Sequence, residues 1–585
     1  MSLRNRLRSL GLSAWPVLLI LATAWVARYL YAGEFGLYED DLTIIPRAVA
    51  MSGPELVDHV ATYIVRLYGH GRPLSDSLIY VGSWLGWRLG GLAWIYVLGF
   101  VFFGLNCTLV YLLARRVAGQ QVALLSGLAL AVFPADTTQA FLTHSLGLQP
   151  ALTLALLALL AYLSNRAWLS WILAALVLFT YETPFGLIAA APLLAPGPWD
   201  RARARRLVLQ GIVLAMILVS VLGLRVAISD DRVARIPFPW ILLIPLEHMV
   251  EGPLVSLGLF GVRIFSAVDK NTVGGWLVSG CALAVLSGVL LFVPLADGLS
   301  ADDLGSFHRD STPRRASWRA WRERWGALTE KMRQYVRTLG AALVMIILAY
   351  PLTYTVRAYA IDGRDTRVHF AAAAGGALFV ALLVGAAWDG LRRAGRGKLG
   401  AALIAVWLAL LVGFGQVIQE DYRQGWASQR RFWSSLVDQI PDVGAGTVVL
   451  VEPRPLGDVT QIGANTWNLS RVLEQLYEFP EEWSAPPRVI RLQPDWRSHI
   501  LSGEGPLSLS WLSVLSPESV WGEVEGKDVI LFLDEGGVLV RQSGPMDIAG
   551  QMTSLMTTEA RGEPPYAHGL LYDLMILPQG ADGDG

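Results

Sequence analysis

Between Ala14 and Val417 the chain is a succession of apolar runs, of full or half bilayer length, separated by short turns that carry arginine. In hydrocarbon there is no water for the backbone to bond. Such runs therefore fold as helices that satisfy their own amides and pack side by side. Only 16% of the 585 residues are charged, 54% are apolar, and the mean hydropathy is +0.45. Soluble domains average about 25% charged residues, so the chain reads as a polytopic membrane protein, mainly α. Cys107 and Cys281 both fall in apolar runs and imply neither a disulfide framework nor a zinc site.

Charge divides the chain in two. From Glu420 onward there are 24 acids against 11 bases, a net of −13, while the remainder carries +12. The basic excess lies in short loops between apolar runs, the pattern of cytoplasmic loops and not of a nucleic-acid surface. Arg4, Arg6 and Arg8 precede the first span and put the N-terminus in the cytoplasm. The first apolar segment is of full span length, with no evident cleavage site, so no signal peptide is expected. The use of 43 Arg against 4 Lys suggests a GC-rich bacterial genome, and with it the cytoplasmic (inner) membrane.

Spans are expected at about 14–31, 91–114, 121–134, 146–163, 207–228, 274–295, 338–356, 370–391 and 399–417. Residues 167–198 lie between Arg166 and Arg201, too short for two full spans and wrongly flanked for one. A hairpin of half-length helices turning at Glu182 resolves the conflict, with a single charge-rule-breaking span as the alternative. That gives about eleven spans, a transmembrane domain over 1–419 and the C-terminus outside. Residues 229–273, broken by Pro237, Pro239, Pro245 and Pro253, are expected outside and interfacial. Residues 297–337 form an Arg- and Trp-rich cytoplasmic loop, with Trp318, Trp321 and Trp325 on one helix face. Residues 420–585 form an acidic, extracytoplasmic mixed α/β domain: strands near 447–451, 489–492 and 529–533, a helix at 469–477 and a hairpin turn at 534–537.

The polar stretch 33–76 follows the first span and is too long for a simple connection. It carries Glu39, Asp40 and Asp41, then Arg47, His59, Arg66, His70, Arg72 and Asp76, and its 54–67 segment has the spacing of a surface amphipathic helix. Sugar transfer from a lipid phosphate needs a carboxylate to take the acceptor's proton and cations to stabilise the departing phosphate. Asp40, Asp41 and Asp136 are the candidate catalytic acids. Glu39, Arg47, His70, Arg72, Glu182, Arg364, Arg367 and His369 are the candidate substrate-binding residues, Arg being suited to bidentate phosphate contacts. The alternative readings are a solvated membrane edge or a bound divalent cation such as Mg or Mn for the acids, and snorkelling to headgroups for Arg364 and Arg367.

With these features the chain resembles the GT-C superfamily of polyprenyl-phosphate-sugar-dependent membrane glycosyltransferases. The resemblance covers residues 1–419. It rests on the architecture, on Tyr38-Glu39-Asp40-Asp41, on the Phe133-Pro134-Ala135-Asp136 exit and on the Tyr181-Glu182-Thr183 hairpin. It implies that a first-loop carboxylate, Asp40 or Asp41, acts as base. It also implies a polyprenyl-phosphate-linked sugar donor, an inverting transfer, and a glycan, lipid or protein acceptor outside the cytoplasm. The Trp-Trp-Asp-Tyr-Gly motif is absent, which counts against the oligosaccharyltransferase branch. A lipid-linked sugar transporter or flippase, or a non-catalytic envelope assembly protein, are the competing classes. A transporter would carry charges deep in several spans, whereas here they gather in the loops.

Overall fold

The computed structural model describes residues 3–66, 71–197, 200–228, 240–292, 330–353, 357–452, 469–492, 507–508, 523–524, 526–535, 538–548, 551–556 and 562–576. The chain forms two compact units, Met1–Gly33 with Gly53–Glu420, and Glu34–Ser52 with Asp421–Gly585. The stretch read from sequence as one outer loop is thus divided between them.

The first unit is a helical bundle. Among the described residues eight helices are long and apolar enough to cross a membrane, and shorter apolar helices run over Gln120–Ala131, Ala167–Thr180 and Thr183–Leu194. The last two are the expected half-length hairpin, with Tyr181 and Glu182 in the turn. Helices 92–118, 120–131, 149–163 and 372–393 form its centre, and fully buried Leu124, Leu128, Ala155 and Leu382 mark the core. Polar groups inside it find one another: Asn106 donates to Gln149 Oε1 (2.8 Å) and accepts from Thr153 Oγ1 (2.7 Å). Without those partners each would sit unsatisfied in an apolar interior.

Trp240–Lys270 differs from the expectation of a proline-broken segment, for it is one continuous 31-residue helix despite Pro245 and Pro253. Its length and composition would allow a span at Leu243–Lys270. Its contacts, however, run along one end of the bundle. His248 pairs with Thr353 O, Tyr350 O–H with Gly252 O, and Arg263 with Asp362, all partners from the connector between helices 330–348 and 372–393. The helix expected at 338–356 begins earlier, at Glu330, and ends at Leu348, two residues after which Tyr350-Pro351 turns the chain. The Trp-rich loop at 297–329 lies outside the described residues.

The second unit is a mixed α/β fold around a four-stranded sheet. Strands β1 (Val448–Val451), β2 (Arg488–Arg491), β3 (Val529–Glu535) and β4 (Val538–Arg541) lie in the order β2-β1-β3-β4. The first three are parallel; β3 and β4 form the expected antiparallel hairpin, pairing Glu535 with Val538. Val448, Leu450, Ile490, Val529 and Leu531 make the core on one face. Helix 469–476 buries Leu469, Val472, Leu473 and Leu476, the helical spacing that joins β1 to β2 by a crossover. Arg541 anchors the sheet edge with a two-pronged bond to Asp442 (2.6 and 2.7 Å).

The bundle's turns give a topology test. In a protein with Cys107 and Cys281 replaced by Ser, Ser52→Cys is expected to react with an impermeant thiol reagent applied outside. Ser164→Cys, in the exposed 164–166 turn, is expected to react only after permeabilisation. External labelling at position 164 would invert the assignment.

Candidate active site

One end of the bundle gathers the polar connectors. The first helix ends at Arg28, which bonds Phe133 O, and Tyr29 O–H donates to Gln139 O (3.2 Å). Thr137 meets Thr366 through both its amide (3.1 Å) and its hydroxyl (2.9 Å). Connectors 132–141 and 349–371 are thereby tied together, and Tyr181 packs edge-on against Phe370 beside them. Pro134 blocks continuation of the 120–131 helix, and the next residues close a local turn on the Asp136 side chain.

Asp136 is 2% exposed. Its Oδ1 accepts from Thr138 N (2.9 Å) and Thr138 Oγ1 (2.8 Å). Burial pushes the carboxyl up, and the two Thr138 bonds with the charges of Arg28 and Arg367 only partly offset this, leaving it raised to about 6. Thr138 Oγ1 also lies 2.9 Å from His144 Nδ1, a buried histidine on which the charges of Arg367 and Arg364 act.

Arg364 and Arg367 stand on a single-turn 3-10 helix, Arg364–His369, entered through Gly363 at φ +71, where a side chain would be strained. Both are part-exposed, and Arg367 Nε is buried without a hydrogen-bond partner among the described residues. His369 is buried between Ala360 O (Nε2, 2.8 Å) and the Tyr350 hydroxyl (Nδ1, 2.8 Å), and burial lowers its pKa to about 4. Both ring nitrogens thus hold the 349–371 connector in shape.

Glu182 sits at the tip of the half-helix hairpin in a two-pronged bond with Arg72, through Nε (2.8 Å) and Nη2. Arg225 backs it at 3.4 Å while donating to Leu178 O (2.7 Å), and Arg72 lies over the Tyr181 ring at 4.1 Å. An acid that would be costly in an apolar hairpin is thus paired twice. Gly71, at φ +74, makes room for this: a Cβ there would come within 2.7 Å of Arg225 Cγ.

The first-loop acids belong to the other unit. Tyr38 is fully buried and donates to Tyr422 O (2.7 Å), and Gln429 donates to Leu37 O (3.2 Å). Gly36 lies where a Cβ would overlap the Trp426 ring. Glu39 then takes φ +53, a left-handed backbone rare for a residue with a Cβ, and the helix Asp41–Ala50 starts directly after it. Asp41 is fully buried at that helix start, Asp40 is part-exposed, Glu39 is buried and Arg47 exposed. His70 lies outside the described residues. Among the described residues no three His, Cys, Asp or Glu side chains cluster closely enough to hold a metal ion, so no Mg or Mn site is built from them.

Sequence reasoning missed Arg28, Thr138, His144 and Arg225. Arg28 and Arg225 end apolar runs, where arginine reads as a headgroup contact. His144 sits in an apolar helix eight residues from Asp136, a spacing that carries no signal until the Asp136 turn brings Thr138 between them.

No family model and no curated protein matches the chain. Solved structures that match include two crystal structures of ArnT from Cupriavidus metallidurans. The apo form is 16% identical, with 88% of this chain and 90% of that one covered and a TM-score of 0.34. The form bound to undecaprenyl phosphate is 16% identical over 83% and 86%, with the same TM-score. At that TM-score the superposition is too loose to transfer a residue or a role.

The double pairing at Glu182 has a stability consequence. Glu182→Ala leaves two inward-facing guanidinium groups uncompensated and is expected to destabilise the protein by about 3–5 kcal/mol, the usual penalty for breaking a buried pair. Thermal unfolding in detergent measures it. An unchanged midpoint would mean that water already compensates Arg72 and Arg225.

Proposed function

We propose that the protein is a GT-C-type membrane glycosyltransferase of the bacterial inner membrane. It moves a sugar, with inversion, from a polyprenyl phosphate to a glycan, lipid or protein acceptor outside the cytoplasm. The observation that carries this reading is the meeting of connectors 132–141 and 349–371 through Thr137 and Thr366, which sets a buried carboxylate, Asp136, in the field of Arg367 at one end of an apolar bundle. The opposite end carries Arg116, Arg166, Arg201 and Arg392, the basic bias of a cytoplasmic face, so the Asp136 end is assigned to the outside.

In this reading Arg364 and Arg367 hold the donor phosphate as it departs, guanidinium groups matching its geometry and staying charged throughout. Arg367, whose charge acts on both Asp136 and His144, is the stronger candidate. The part-exposed Asp40 is the acid suited to take the acceptor's proton, and the fully buried Asp41 supports the start of the Asp41–Ala50 helix. Glu182 keeps Arg72 in place. Undecaprenyl phosphate, held by one of the ArnT crystal structures, is the natural donor lipid to test.

Arg364→Ala and Arg367→Ala are each expected to weaken binding of undecaprenyl phosphate by about 1.5–3 kcal/mol, the contribution of a charge-assisted hydrogen bond. Unchanged affinity in both would return these arginines to headgroup contacts. Asp40→Asn is expected to lower sugar transfer about 10²–10⁴-fold while lipid binding persists. Full turnover in Asp40→Asn, with lipid still bound, would remove Asp40 as the base, and lipid binding without transfer by the wild type would favour the transporter reading.

A further inference from the structure

The bundle unit contains a hydrogen-bonded line that the proposed transfer does not yet use: Asp136 Oδ1 to Thr138 Oγ1 at 2.8 Å, and Thr138 Oγ1 to His144 Nδ1 at 2.9 Å. Asp136, Thr138 and His144 are 2%, 0% and 5% exposed. Thr138 has one hydroxyl proton. With Asp136 ionised that proton goes to the carboxylate, and Nδ1 must then carry a proton of its own to donate to Thr138 Oγ1. Nε2 is left bare. With Asp136 protonated every donor in the line reverses: the carboxyl donates to Thr138, Thr138 donates to Nδ1, and the ring proton moves to Nε2. The line has two complete states that differ by one proton, and the ring is neutral in both.

That neutrality matters because the charges of Arg367 and Arg364 act on the ring. An imidazolium between guanidinium groups would be repelled, whereas a relay that shifts protons without charging the ring is not. The same arginines are the ones assigned to the donor phosphate, so His144 stands on the leaving-group side.

We propose that Asp136, Thr138 and His144 form a proton relay that delivers a proton from Asp136, through His144 Nε2, to the polyprenyl phosphate as it leaves. The inference rests on the glycosyl-transfer reading above. The bond between the sugar's anomeric carbon and the phosphate oxygen breaks with its electron pair staying on the phosphate, which passes from monoanion to dianion. The Nε2 proton moves to a phosphate oxygen, the Thr138 proton moves to Nδ1, and the Asp136 proton moves to Thr138. Asp136 ends ionised and is reprotonated from water before the next turnover. The acceptor's own proton goes to the first-loop acid, so each proton has one donor and one destination. A phosphomonoester dianion takes up a proton near pH 6. The Asp136 carboxyl, raised to about 6, is matched to that exchange.

The full-length protein, labelled with ¹⁵N-histidine and held in nanodiscs at pH 7.5, reads the relay by NMR, with His144→Gln identifying the signal. Without lipid, His144 is expected as the Nδ1–H tautomer. Saturating undecaprenyl phosphate is expected to move it to Nε2–H in the wild type and in Thr138→Ser, which keeps a hydroxyl. Thr138→Val, which removes the central hydroxyl, and Asp136→Asn, which has no acid proton to pass on, are expected to bind the lipid and to lose the response. Bound lipid with no change of tautomer in the wild type, or the same change in Thr138→Val, would overturn the relay alone. Failure of the wild type to bind undecaprenyl phosphate would overturn the donor reading and the relay with it.

Discussion

A charge or hydrogen-bonding group among apolar helices must be answered by another group of the same chain, and this requirement organises the bundle. Asn106, Gln149 and Thr153 answer one another in its interior. Arg28, Arg72, Arg225 and Arg263 do not reach past the helix ends to water. They bond back onto Phe133 O, Glu182, Leu178 O and Asp362. Each bond ties a connector or a helix end into the same end of the bundle.

The candidate site follows from those ties. Asp136 is not a side chain at a loop tip. It is the centre of a turn tied to Thr366 through Thr137 and to the first helix through Tyr29 and Gln139. His369, by bonding Ala360 and Tyr350, does for the second connector what Asp136 does for the first. Arg364 and Arg367 are therefore presented by a short braced turn, which suits residues that must meet a phosphate at a fixed distance. In the other unit, the strained Glu39 backbone and the Tyr38 anchor perform the same service for Asp40 and Asp41.

Much of this was legible in the order of residues. Apolar length and arginine placement specify a polytopic helical bundle, because a backbone in hydrocarbon has few alternatives to helix and a charged loop has a preferred side. The conflict between Arg166 and Arg201 specified the half-length hairpin and put Glu182 at its turn. Two apolar runs and the Asp534-Glu535-Gly536-Gly537 turn between them specified the β3–β4 hairpin, and the acids and arginines worth attention were visible as exceptions to an apolar background.

Only the tertiary structure decided which exceptions act together. Glu182 is bound to Arg72 and Arg225 because hairpin, loop and helix end meet in space, a contact 110 residues wide that no local pattern encodes. Residues 34–52 join the C-terminal unit through Tyr38, Leu37 and Gly36, although in sequence they continue the first span's loop. Trp240–Lys270 stays one helix through two prolines because its long-range contacts along the bundle end outweigh the bonds the prolines lose. The line from Asp136 to His144 exists because Pro134 and Thr138 turn the chain back on itself. Spacing in sequence fixes what a helix or strand can present, but the meeting of side chains from separate connectors is set by packing alone.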